Sequence, residues 1–99
     1  MSAAIAQRLL RAAATAGCPL ELREHHSRLW ASATFTGARH ALTLAGAPSP
    51  ALDAWLAGLS DATFDTPREL VADLALVERT RRGGEVEARI EAVTVERAL

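Results

Sequence analysis

Ninety-nine residues, 49% of them hydrophobic and 23% charged, suffice for one domain that buries roughly 60 to 65% of the surface its unfolded chain would expose. This composition excludes a disordered or fibrous chain. Twelve acids against eleven bases leave a formal net charge of −1, which removes any global attraction to nucleic acid or a membrane surface, so a basic site must be local.

Every base is Arg, with no Lys and no Tyr, a bias that points to a high-GC bacterial genome. The single Cys18 cannot form an internal disulfide, and no run of about 18 apolar residues exists to span a membrane. The expectation is a cytoplasmic protein.

The first segment, "MSAAIAQRLLRAAATAG", is marked as a helix at both ends. Ser2 can cap its start, Gly17 can take the left-handed position after its end, and Pro19 prevents continuation. Ile5, Leu9, Ala12, Ala13 and Ala16 fall on one stripe, with Gln7, Arg8, Arg11 and Thr15 largely off it. Arg8 and Arg11 stand inside the apolar run rather than before it, which fits a helix face and not an export signal.

From Leu20 to Gly46 the apolar period changes to two. The sets Leu20/Leu22, Leu29/Ala31/Ala33/Phe35 and His40/Leu42/Leu44 occupy alternate positions. Turns centred on His26-Ser27 and on Gly37-Ala38 would bring all three sets onto one face, so three strands are expected. Their other face would carry Arg23, Trp30, Ser32, Thr34, Ala41 and Thr43.

After "AGAPSP", Ser49 as N-cap and Pro50 at the first helical position begin a second helix that ends at Ser60-Asp61. Leu52, Trp55, Leu56 and Leu59 form its apolar stripe, and Phe64 is expected to anchor the following connection to the core. The segment "TPRELVADLALVERTRRGG" supports two assignments. Thr66 to Glu69 has the form of a capping box, and Gly83 suits the end of a helix over 67–82. Against this, "EVEARIEAVTV" alternates strictly and needs strand partners. A loop at Arg82-Gly83-Gly84 sets Leu76 opposite Ile90, Leu74 opposite Ala92, Arg79 opposite Glu87 and Arg81 opposite Glu85. This pairing favours a strand from about Leu70 to Thr80, preceded by one helical turn over Thr66 to Glu69.

The expected fold is one α+β domain over 1–99, a two-layer sandwich of order α-β-β-β-α-β-β, with two helices on one face of an antiparallel sheet. The alternative, with 67–82 helical, is α-β-β-β-α-α-β. The uncovered sheet face would show Trp30, Thr34, Ala41, Ala45, Val71, Val93 and Val95, apolar enough to serve as a contact surface. A homodimer through this face or an edge strand, together with an unidentified protein partner, is the leading expectation.

Chemistry-bearing residues are few. Cys18, His25, His26 and His40 follow no common zinc spacing, so neither a metal nor a cofactor is expected. A cysteine just past a helix C-terminus lacks the field that stabilises a thiolate. Glu85, Glu87 and Glu91 alternate as the solvated face of a strand, whereas Asp73 interrupts the apolar run "LVADLALV" and is the acid with the strongest claim to a role. Arg39 and His40 near one hairpin tip, and Arg79, Arg81 and Arg82 near the other, would form an anion or nucleic-acid contact if both tips lay on one side. No aromatic residues interleave them for base stacking, and nucleic acid ranks below the other partners.

The expected function is a non-enzymatic homodimeric interaction module. One alternative is a small-ligand binder or enzyme with a pocket between helices and sheet, using Asp73, His40 or Arg39. A second is an Arg-mediated nucleic-acid contact. Of the pair beside the first tip, His40 falls on the helix-covered face and Arg39 on the open one.

Overall fold

A computed structural model describes residues 4–97; Ser2, the expected first cap, lies outside them. α1 (Ala4–Thr15) leads into β1 (Glu21–Ala31) and β2 (Thr36–Gly46). α2 (Pro50–Ala57) and a 3-10 turn (Leu59–Asp61) follow, and β3 (Glu69–Arg82) and β4 (Glu85–Glu96) complete the described chain. The strands form one antiparallel sheet in the order β1-β2-β4-β3. Both helices pack on one face, giving the expected α+β sandwich, with four strands in the order α-β-β-α-β-β.

The helix punctuation acts as its residue types dictate. Gly17 takes φ +87° just after α1, and Pro50 opens α2 while the Ser49 hydroxyl accepts a hydrogen bond from Leu52 N–H at 3.0 Å. Ile5 and Leu9 of α1 meet Leu42, Leu44 and Ile90 of the central strands. Leu52 and Leu56 of α2 meet Ala13, Cys18, Val86 and Ala88. Phe64 is buried as expected, with Trp55 edge-on to it at 6.3 Å.

Two strands, not three, occupy the region after α1. The chain does not reverse at His26-Ser27; β1 runs straight through to Ala31 in continuous register with β2. It reverses instead at Ser32 to Phe35. There the Ser32 hydroxyl accepts from the N–H groups of Thr34 and Phe35 at 3.3 and 3.0 Å, and Ser32 N–H donates to Phe35 O at 2.8 Å. Gly37, expected at the turn, lies within β2 where the backbones approach closely: a Cβ there would stand 1.9 Å from Thr94 O and 2.8 Å from the Trp30 ring. The shared apolar face survives this change, because the register sets Leu22 opposite Leu44, His25 opposite Leu42 and Leu29 opposite Ala38.

Residues 67–82 are not helical. β3 pairs with β4 so that Leu74 faces Ala92 and Leu76 faces Ile90, as the alternation requires. Gly83 and Gly84, at φ +60° and +82°, make a two-residue turn, one residue shorter than expected. The shorter turn moves Arg79 opposite Ala88 and Arg81 opposite Val86 rather than opposite glutamates, and a bulge between Leu76 and Glu78 takes up the extra residue and returns Leu76 to Ile90. A second bulge, between Val71 and Asp73, turns Val71 to the helix side, where it packs on the core instead of lining the open face. Thr66 to Glu69 forms a tight turn, not a helical one. Thr66 Oγ1 accepts from Glu69 N–H at 3.1 Å, half of a capping box, and Glu69 then begins β3.

Length matters to what remains uncovered. The 12 residues of α1 span about 18 Å at the helical rise, whereas the 14 residues of β3 span about 46 Å. The molecule measures 45 × 21 × 19 Å, and the helices stop short of the β1–β2 hairpin, where Leu29 is 82% and Phe35 56% exposed.

Leu9→Ala, at a position with no exposure, is expected to cost about 2–5 kcal/mol, and Gly37→Ala about 1–3 kcal/mol by forcing β2 from β4. Urea titration of each variant against wild type checks both.

Candidate functional site

Where the helices end, the sheet carries a chain of polar side chains on its helix side. Register places Ser27, His40 and Ala92 in one row, and Leu29, Ala38 and Thr94 in the next. His40, Thr94 and Glu69 are all buried. Thr94 Oγ1 lies 3.2 Å from Glu69 Oε2 and 3.4 Å from Ala38 O, while His40 Nε2 lies 3.1 Å from the same hydroxyl. His40 Nδ1 is 2.9 Å from His25 Nε2, on the outer strand.

The hydrogens in this chain follow from its ends. A carboxylate and a carbonyl only accept, so the Thr94 hydroxyl shares its single hydrogen between them and receives one from His40 Nε2. His40 then accepts at Nδ1 from His25 Nε2–H, which makes the His40 ring the neutral tautomer protonated at Nε2. Burial lowers the His40 pKa below 6.5, helped by His25 and opposed by Glu69. Burial followed by the charge of His26 lowers that of His25.

A groove of about 700 Å³ adjoins this chain, with His40 and Glu69 among its polar lining and Leu29, Trp30 and Ala31 among its apolar one. Thr94 is fully buried, and its proton is committed to acceptors inside the protein. The Thr94 hydroxyl is therefore not exposed to the groove as a nucleophile. Its clear physical role is to satisfy polar groups at the open end of the core.

The expected site residues divide between two faces and two ends. Arg39 and Asp73 both flank Val93 on the open face, beside a hollow of about 430 Å³ that Arg28 and Glu91 also line. His40 points to the opposite, helix side. Arg81 and Arg82 lie at the β3–β4 tip, which the antiparallel register puts at the other end of the sheet, roughly 30 Å from Arg39. The two basic tips thus do not converge. Trp30, Ala41, Val93 and Val95 do occupy the open face, all half-buried, but Thr34 sits in the β1–β2 turn.

Cys18 is buried, with its thiol donating to Ala13 O at 3.4 Å, and burial pushes its pKa up. Among the described residues, no three His, Cys, Asp or Glu side chains are grouped to hold a metal ion. Nor is any helix there long and apolar enough to cross a membrane. No family model matches this chain, and neither a curated protein nor a solved structure is similar to it.

Glu69 and Thr94 were not singled out from sequence. The capping-box pattern assigned Glu69 to a helix start, and Thr94 looked like one more alternating strand residue. The available signal was that Thr94 shares the inward parity of Ala88, Ile90 and Ala92.

Thr94→Val, which keeps the shape and removes the bridging hydroxyl, should destabilise the fold by about 1–3 kcal/mol in urea titration. The lowered His25 and His40 pKa values mean that below pH 6.5 the unfolded chain binds more protons than the folded one. Their contribution is fully present above that pH and is lost as pH falls towards the folded values. The urea midpoint should therefore drop between pH 7.5 and 5.5, and less steeply in His40→Gln; equal midpoints at the two pH values would contradict the assignment.

Proposed function

We propose that this chain is a non-enzymatic interaction module that self-associates, and recognises a protein partner, through the part of its sheet that the helices leave bare. The observation that carries this is Leu29, 82% exposed on an outer strand beyond the reach of both helices. Nine of the eleven β1 residues are exposed, His25 and Trp30 being the half-buried exceptions. A long accessible edge strand is a ready template for further pairing. Trp30, Val93 and Val95 add apolar surface on the open face at the same end.

The self-contained polar chain supports a structural role for His40 over a catalytic one. Separation of Arg39 from Arg81 and Arg82 disfavours a nucleic-acid contact, since it spreads the positive charge that such a contact would need to concentrate. A single, buried cysteine suits a reducing compartment such as a bacterial cytoplasm.

Light scattering at tens of micromolar should give the mass of a dimer. Leu29→Asp, placing a charge on the exposed surface, should raise the dissociation constant by about tenfold or more, and a strictly monomeric wild type would overturn the proposal.

A further inference from the structure

We infer that β1 pairs antiparallel with β1 of a second copy about a two-fold axis at His26, joining the two sheets into one of eight strands. This deepens the self-association proposed above and rests on it. The two sheet edges are not equivalent. β3 carries bulges between Val71 and Asp73 and between Leu76 and Glu78, which break its outer row of hydrogen-bonding groups. In β1 the one irregularity falls between Leu22 and Glu24, leaving an unbroken run from Glu24 to Ala31.

Charge selects the register on that run. Arg28 faces Arg39 directly across β1 and β2, an opposition of like charges that weakens a sheet. Among the described residues, neither arginine has a carboxylate within 4 Å. Glu24 lies on the same open face, and among the described residues the one basic side chain within 4 Å of its carboxylate is His26, at 3.8 Å. An axis at His26 places Glu24 of each copy opposite Arg28 of the other, so that each Arg28 gains an acid beside it to offset the facing Arg39. An axis at His25 would set Arg28 against Glu21, which already holds Arg23 at 3.5 Å, and Leu22 against Ser27; one at Ser27 would set Glu24 against Trp30 and Arg28 against His26, and one at Arg28 would oppose two arginines.

The helix side of the same register is apolar. Arg23, the bulged residue, drops out of the ladder, so Leu22 comes beside Leu29 of the second copy. These two are 38% and 82% exposed in the single chain, and two-fold symmetry makes the pair twice.

Glu24→Arg and Arg28→Glu test the register because both side chains are exposed. Each change alone converts two attractive pairs into two repulsive ones and should weaken self-association about tenfold. Mixed in equal amounts, the two variants should form a heterodimer as tight as wild type, since each then meets its opposite. His26→Cys should form a disulfide-linked dimer on mild oxidation, because residues directly opposite in a ladder have Cα atoms about 4.5–5.5 Å apart. Arg28→Cys should not, its two copies being four residues apart along the strand. A wild-type dimer that the swaps leave unchanged, or that the mixture fails to restore, would overturn β1 pairing while leaving self-association through the open face in place. A monomeric wild type would overturn both.

Discussion

A strand advances 3.3 Å per residue and a helix 1.5 Å, and the rest of this structure depends on that mismatch. Strands of 11 to 14 residues are laid against helices of 12 and 8. The helices close a dry core where Ile5, Leu9, Leu52 and Leu56 meet the central strands, and then they end. Beyond them the sheet continues with one fewer layer, and its residue types change accordingly. Ile90 and Ala92 give way to Thr94, and Leu42 gives way to His40. The inward row becomes polar where the roof stops.

That transition explains why the buried polar chain has the members it has. An imidazole buried at a half-roofed end needs hydrogen-bonding partners. Histidine, threonine and glutamate together saturate one another across β1, β2, β4 and β3 in spatial sequence. The chain is also directional. A proton added at His25 Nδ1 leaves all three hydrogen bonds intact, whereas one added at His40 Nδ1 would confront the hydrogen on His25 Nε2. The assembly therefore places added charge at its outer strand, away from the core.

Much of the framework was legible because local signals and pairing agreed. Ser49 and Pro50 fixed one helix start, Gly17 one helix end, and the parity of Leu74 and Leu76 against Ala92 and Ile90 chose strand over helix. What the chain concealed was conditional on tertiary contact. The turn at Ser32 is made by one hydroxyl with no glycine or proline to announce it. Gly37 looked like that turn because close backbone approach and chain reversal both call for glycine. Bulges leave no periodic trace until a partner strand supplies the reference, so Val71 could not be assigned its face from alternation alone. Glu69 and Thr94 lie 25 residues apart, and nothing local links them.

The bulges on β3 have a bearing on growth. A sheet with two regular edges can recruit strands on both sides, and each added molecule presents the next with a fresh edge, the geometry of a fibre. Here one margin is kinked twice and has lost the even spacing of donors and acceptors that a neighbour would need. Addition can proceed from one side alone. A one-sided sheet is a chain terminator for its own polymerisation, so the same margin that could seed aggregation in a symmetric sheet is confined to finite assemblies.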